Sequence, residues 1–93
     1  MQYFFVYILK CSDNSYYIGH TDNMEKRVQE HSLGLISSYT SKRLPIKIVW
    51  LQTFTSRFEA VSAEGQLKKW NREKKEALIE GGFEAVKNYF NNK

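Results

Sequence analysis

The fold of this chain is decided by residues 3–21, "YFFVYILKCSDNSYYIGHT". Its first eight residues are almost wholly apolar on both alternating faces, which predicts a strand covered on both sides. Asp13 and Asn14 stand in the polar cluster that follows, and both residue types favour turns. The extended pattern resumes at Tyr16 and ends at Gly19. The stretch therefore predicts a β-hairpin whose first strand is central in its sheet.

The rest of the chain predicts one further strand and four helices. A capping box of Asp22 and Glu25, with Thr21 as the rival cap, begins the first helix. The run "IKIVWLQTF" after the only proline predicts the third strand. The order of elements predicts an α+β domain with a three-stranded mixed or antiparallel sheet flanked by helices, and residues 1–93 form one domain. The caps predicted for the second and third helices are Ser56 and Asn71.

Basic residues are concentrated in one part of the chain. From Thr40 to Lys75 there are nine Lys and Arg against three Asp and Glu, whereas the whole chain has a formal net charge of +4. This pattern predicts an anionic partner such as a nucleic-acid backbone, and the alternative is a lysine-rich helix face in water. The single cysteine, Cys11, excludes an internal disulfide and favours the cytoplasm. No apolar run reaches the roughly 18 residues of a membrane span, so no membrane partner is expected.

Glu64 is the first residue that the sequence singles out for chemistry. The predicted helix places it beside the apolar stripe, and Gly65 follows it, although an interior glycine costs a helix about 1 kcal/mol relative to alanine. Such a glycine is sometimes kept because something approaches the backbone closely. A carboxylate near a basic surface suits Mg²⁺, which keeps several waters and takes other ligands from a phosphate. The alternative is a structural pair with Lys68, four residues further on.

Arg27 and His31 form a second candidate pair, because residues four apart are neighbours on a helix. Arginine offers a planar fork of donors that suits a phosphate gaining charge under attack. A histidine one turn away can accept a proton or orient a water molecule. The alternative is an exposed Arg27 near Glu30, with His31 in the boundary layer of the core.

Tyr7 and Tyr17 are the third candidates, since the hairpin makes them neighbours across the sheet. Tyr17 and Gly19 share one face by the two-residue alternation, and Tyr16 faces the other way. We expect Gly19 to leave that face open for a ligand. The alternative for both tyrosines is plain core packing. Zinc-type Cys/His spacing and phosphate-loop motifs are absent from the sequence, so no small-molecule cofactor is expected.

Together these residues resemble the GIY-YIG nuclease superfamily over residues 3–80, in the small stand-alone bacterial branch. Val6 and Tyr7 stand at the last two GIY positions, and "YIG" is intact at 17–19. The family arginine falls on Arg27, the Tyr or His one turn later on His31, and the metal-binding glutamate on Glu64. Phe5 replaces the first glycine of the motif, and His20 and Glu76 stand where excision-repair relatives have lysine and asparagine.

The resemblance implies an endonuclease that hydrolyses DNA, with RNA as the alternative substrate. It implies that Glu64 holds Mg²⁺ or Mn²⁺, that Arg27 stabilises the phosphoryl charge, and that Tyr17 or His31 activates water while Tyr7 supports the site. A rival hypothesis is a non-catalytic nucleic-acid-binding module on the same scaffold. The residues expected to contact the nucleic acid are Gly19, His20, Lys42, Arg43, Lys68 and Lys69.

Overall fold

The computed structural model describes residues 2–91 of the chain and the side chains of residues 2–89. Three strands and four helices follow one another along the chain, and the loop predicted after the first helix contains a short helix of its own. The elements are β1 Phe4–Lys10, β2 Tyr16–Thr21, α1 Met24–Ser32, α2 Ser38–Ser41, β3 Lys47–Phe54, α3 Arg57–Lys68 and α4 Arg72–Asn91.

The three strands form one sheet in the order β2-β1-β3, and both pairings are antiparallel. The predicted α+β class is therefore confirmed, with an antiparallel rather than a mixed sheet. The prediction that β1 is central is also confirmed, because the side chains of its four middle residues, 6–9, are fully buried. A strand that is covered on both faces needs apolar residues at every position, as this one has.

The two faces of β1 are buried in different surroundings. Val6 and Ile8 belong to the main apolar core, which also contains Ile18, Ala60, Leu67, Leu78 and Val86 from β2, α3 and α4. Tyr7 lies on the opposite face, where it contacts His31 of α1. The residue that carries the candidate chemistry therefore lies on the face away from the main core.

The helix caps predicted from the sequence are confirmed for two helices and are wrong for one. Ser56 and Asn71 cap α3 and α4 as predicted, accepting hydrogen bonds from the backbone N–H groups of residues 59 and 74. The predicted start of α1 is wrong, because the cap is Asn23, whose Oδ1 accepts from the Lys26 N–H at 3.1 Å. The strand β2 also continues two residues beyond Gly19. Gly82 interrupts α4 with a φ of 71°, so its two halves correspond to the two predicted helices.

No helix within residues 2–91 is long and apolar enough to cross a bilayer.

Candidate functional site

A buried hydrogen-bond chain joins β1, α1 and α2. The hydroxyl of Tyr7 lies 3.0 Å from Nε2 of His31, and Nδ1 of His31 lies 3.1 Å from Oγ1 of Thr40. All three side chains are fully buried. Because the single hydroxyl proton of Thr40 is donated to the Ser37 carbonyl at 3.4 Å, Thr40 accepts from His31. His31 therefore accepts a hydrogen bond from the Tyr7 hydroxyl at Nε2, and this bond holds the phenol in one orientation.

Burial determines the protonation states of Tyr7 and His31, the first two groups of this hydrogen-bond chain. It raises the pKa of Tyr7 to about 12, an effect that the nearby positive charge of Arg27 partly offsets. It also lowers the pKa of His31 below its usual value of 6.5, and the charge of Arg27 adds to the lowering. Near neutral pH the phenol is therefore protonated and the imidazole is uncharged, which is the state that the hydrogen bond requires.

The lowered pKa of His31 predicts a loss of stability in mild acid. As the pH falls below 6.5 the unfolded chain protonates this histidine while the folded protein resists, so proton binding favours unfolding. We expect the urea midpoint to fall between pH values of about 7 and about 5.5. The decline should persist in His20→Gln, which keeps His31, and should shrink in His31→Gln. An equal decline in both variants would contradict the assignment.

Arg27 places a guanidinium beside the Tyr7 phenol, whose pKa its charge lowers. Its Nε is buried and has no hydrogen-bond partner among the described residues, and the nearest carboxylate oxygen, on Glu30, is 3.6 Å away. Buried donors of this kind are rare in folded proteins and call for an explanation. The Glu30 carboxylate supplies part of one, since at 3.6 Å it is close enough for an ion pair but too far for a hydrogen bond.

Glu64 lies on α3 with its side chain only 15% exposed. Its Oε1 is 2.7 Å from Nδ1 of His20, and its Oε2 is 3.2 Å from Nζ of Lys68. The structural pair with Lys68 considered from the sequence is thus present, and His20 makes a second one. The negative charge of Glu64 also makes a small contribution to the raised pKa of the Tyr7 phenol, after burial.

Tyr17 lies on β2 beside these groups and forms one wall of an open groove. Its ring is 5.1 Å from His31 in an edge contact and 6.4 Å from Tyr39 in a stacked one. The groove has a volume of about 330 Å³. Since consecutive strand residues face opposite sides and 16–18 all contribute, the groove crosses the edge of β2. Its lining residues are Tyr16, Tyr17, Ile18, Tyr39, Lys68 and Lys75.

Gly19 does not leave an open face for a ligand, and this expectation is wrong. It pairs with Tyr7 across the sheet. A Cβ at this position would stand 2.7 Å from Cζ of the Tyr7 ring, well inside a normal contact. The glycine is therefore needed so that the Tyr7 phenol can lie flat over β2, and it is not a nucleic-acid contact.

The remaining predicted nucleic-acid contacts divide into two groups. Lys42 and Lys69 are exposed at the ends of α2 and α3, and Lys68 lines the groove. His20 is half-buried on Glu64. Arg43 is used within the protein: it donates to Asp13 Oδ2 and to a backbone carbonyl, each at 2.9 Å, and lies 3.9 Å from the ring centre of Tyr39. Arg43 therefore holds the β1–β2 turn, and its contact with a phosphate stays a prediction.

The sequence carries no signal that Thr40, Tyr39 or Lys75 belongs to the site. They occur in runs of hydroxyl or basic residues, where no spacing separates one member from its neighbours. Glu76, which stands where some relatives have asparagine, accepts from the Tyr16 hydroxyl at 3.2 Å. It supports the groove wall rather than the carboxylate of Glu64.

The donor set around Glu64 fits a hard divalent cation that keeps most of its waters. No group of three or more His, Cys, Asp or Glu side chains is placed to share a metal within the described part of the chain. Mg²⁺ needs no such cage, since one or two carboxylates with waters and phosphate oxygens complete its shell. A carboxylate has about four lone-pair positions, so Glu64 can keep His20 and still bind an ion.

Comparison with known proteins gives a consistent assignment. The family model described as the GIY-YIG catalytic domain matches residues 3–77. A UPF0213 protein of Haloquadratum walsbyi is 44% identical over 80 residues, covering 86% of this chain and 90% of that protein. The UPF0213 protein YazA of Bacillus subtilis is 42% identical over 76 residues, covering 82% of this chain and 77% of that protein.

Two solution NMR structures resemble this fold. The UPF0213 protein BH0048 of Bacillus halodurans has 36% sequence identity and a TM-score of 0.57, covering 90% of this chain and 93% of that one. The protein EF2693 of E. faecalis has 34% identity and a TM-score of 0.60, covering 86% of this chain and 85% of that one. The likeness extends over the strands and helices that carry the candidate residues.

Proposed function

Because the chain belongs to the GIY-YIG catalytic-domain family, a family of nucleases, we propose that it is a divalent-metal-dependent endonuclease that hydrolyses DNA phosphodiester bonds in DNA repair or processing. Residues 1–93 act as one nuclease domain in this proposal. The observation that carries it is the surroundings of one hydroxyl. The Tyr7 hydroxyl lies 3.0 Å from Nε2 of His31, the Tyr17 ring contacts the His31 ring at 5.1 Å, and Arg27 precedes His31 by one turn of α1. Glu64 of α3 is held at 2.7 Å by His20, the neighbour of the Gly19 that pairs with Tyr7.

The phosphate is bound first by arginine in this mechanism. The Arg27 side chain is 31% exposed and its charge acts on the Tyr7 phenol, so the accessible part of its guanidinium can donate to a scissile phosphate. Its fixed positive charge then stabilises the negative charge that develops as the phosphorus is attacked. Glu64 would hold the Mg²⁺ or Mn²⁺ ion, which when bound polarises the phosphate and stabilises the leaving oxygen.

We assign to Tyr17 the role of activating or orienting the attacking water. Its half-buried phenol forms a wall of the open groove, where a water molecule beside a bound phosphate can reach it. His31 is fully buried and hydrogen-bonded to Tyr7, so it is not placed to reach the attacking water. It instead keeps the Tyr7 phenol in place. Lys68 and Lys75 in the groove, together with the exposed Lys42 and the Lys69 next to Lys68, bind the flanking backbone.

The test is cleavage by the unmodified protein. Labelled single-stranded, duplex and branched DNA are incubated with Mg²⁺, with Mn²⁺ and with EDTA, and an RNA strand of the same sequence is run beside them. We expect cutting of DNA that depends on the metal ion. Intact DNA in every reaction with metal would refute the nuclease proposal.

Arg27→Met is expected to lower cleavage by about a hundredfold, since it removes the charge that stabilises the attacked phosphate. The free energy of unfolding should stay within about 0.5 kcal/mol or rise, because the substitution also removes a buried N–H that lacks a partner. Cleavage rates and urea unfolding measure the two effects. Lys26→Met, at an exposed neighbouring position, is the matched control. A strongly destabilised Arg27→Met protein would show that Arg27 is structural.

A non-catalytic nucleic-acid-binding module is the second candidate. It is favoured by the engagement of both Glu64 oxygens, one by His20 and one by Lys68. This candidate predicts binding that weakens steeply with salt and does not change with metal ions. Fluorescence anisotropy of labelled DNA over a salt series, with EDTA and with Mn²⁺, measures both properties. Salt-sensitive binding without any cleavage would favour the module over the nuclease.

A further inference from the structure

Lys68 belongs to two sites at once. Its ammonium lies 3.2 Å from Oε2 of Glu64. The same side chain is 56% exposed and lines the groove together with Lys75 and Tyr17. A long, flexible side chain in this position can reach the carboxylate or turn towards the groove, because four rotatable bonds separate its charge from the backbone.

The two oxygens of Glu64 are not equivalent. Oε1 is held by the half-buried His20 at 2.7 Å, and this contact links β2 to α3. Oε2 contacts only the exposed end of Lys68 among the contacts described for this carboxylate. A divalent ion that binds Glu64 at the oxygen that His20 does not hold therefore meets Lys68, and two positive charges around one oxygen repel each other.

We infer that Lys68 exchanges between Glu64 and a DNA phosphate in the groove, so that metal binding and DNA binding favour each other. Without metal, Lys68 neutralises Glu64 and its charge is withheld from the groove. With metal on Glu64, Lys68 is released and joins Lys75 on the backbone beside the cleaved bond. A phosphate that draws Lys68 into the groove frees Glu64 in turn, since such coupling is reciprocal. This inference rests on the proposed metal site of the nuclease.

The first test measures Mn²⁺ binding by electron paramagnetic resonance, without DNA. Lys68→Met removes the competing charge, so we expect Mn²⁺ to bind about three- to tenfold more tightly than to the unmodified protein. Lys87→Met, an exposed lysine on α4 that does not line the groove, should leave the Mn²⁺ affinity unchanged. Unchanged or weaker Mn²⁺ binding in Lys68→Met, or no Mn²⁺ binding to either protein, would overturn the exchange.

The second test is a double-mutant cycle on DNA binding in EDTA, which needs neither metal nor cleavage. The probe is a fluorescein-labelled single-stranded DNA oligonucleotide. Glu64→Gln releases Lys68, so we expect it to raise DNA affinity about threefold or more. The same substitution in a Lys68→Met background should raise the affinity by well under half as much. An equal gain in both backgrounds would show a general loss of repulsion and would overturn the inference.

The two tests separate this inference from the proposed function. Should the protein fail to cut DNA while both binding results hold, the nuclease proposal fails and the exchange of Lys68 stands. Should metal-dependent cutting occur while the double-mutant cycle shows no coupling, the exchange fails and the nuclease proposal stands.

Discussion

The Glu64→Gln variant is expected to lose at least about a hundredfold of the metal-dependent cleavage rate. Glutamine has the same shape as glutamate, but it lacks the negative charge that a divalent cation requires. Mn²⁺ binding should be lost together with cleavage. Stability should change by less than about 1 kcal/mol, since the ion pair with Lys68 is partly exposed.

The control for this variant is Glu84→Gln, an exposed position on α4 with the same change of charge. It should cut DNA within about twofold of the unmodified protein, because a distant exposed charge has little effect. Cleavage rates, Mn²⁺ resonance and urea unfolding are measured on all three proteins. Cleavage by Glu64→Gln at the unmodified rate would remove Glu64 from the mechanism.

Gly19→Ala is expected to destabilise the protein by about 1–3 kcal/mol, as overpacking a filled core does. The added methyl group would stand 2.7 Å from Cζ of the Tyr7 ring. That ring is fully buried and joined to His31 by a 3.0 Å hydrogen bond, so it has no free direction in which to move. Displacing the phenol should also lower cleavage strongly, because Tyr7 contacts His31 and its hydroxyl is coupled electrostatically to Arg27.

A second glycine supplies the matched control. Gly65 lies within α3, and a Cβ there would meet nothing within 4 Å. Gly65→Ala should therefore stabilise the protein by about 0.5–1 kcal/mol, since alanine loses less conformational entropy in a helix. Urea unfolding of the unmodified protein, Gly19→Ala and Gly65→Ala measures the free energy of unfolding of each. A Gly19→Ala protein as stable as the unmodified one would contradict the packing argument.

The sequence predicted the features that depend on local periodicity. An apolar run on both alternating faces predicted the central strand, and the strand order confirms it. The register pairs Tyr7 with Gly19, a pairing that the sequence did not predict. The caps at Ser56 and Asn71 were predicted correctly, and at Ser56 the Glu59 three residues on supports the cap. The cap of α1 was not, since three consecutive residues, 21–23, are all good caps. The extended backbone of Asn23, with φ −147° and ψ 94°, selects it.

The sequence did not predict how the site residues contact one another. His20 and Glu64 are separated by 44 positions, and Tyr7 and His31 by 24. Contacts at such separations depend on where α1 and α3 lie against the sheet, which no local pattern specifies. The same limit explains Arg43, whose charge suggested a phosphate contact but whose guanidinium is taken by Asp13 and the Tyr39 carbonyl.

By itself, then, the sequence determined the strands, the longer helices, the family and the residue types of the site, since these depend on spacing of a few residues. Only the tertiary structure decided the burial and the partners of each group. It buries His31 behind Tyr7, leaves one N–H of Arg27 without a hydrogen-bond partner among residues 2–91, and gives Glu64 a histidine and a lysine as partners. The physical reason is that burial, pKa and competition for a carboxylate depend on all neighbouring groups, and packing alone brings those neighbours together.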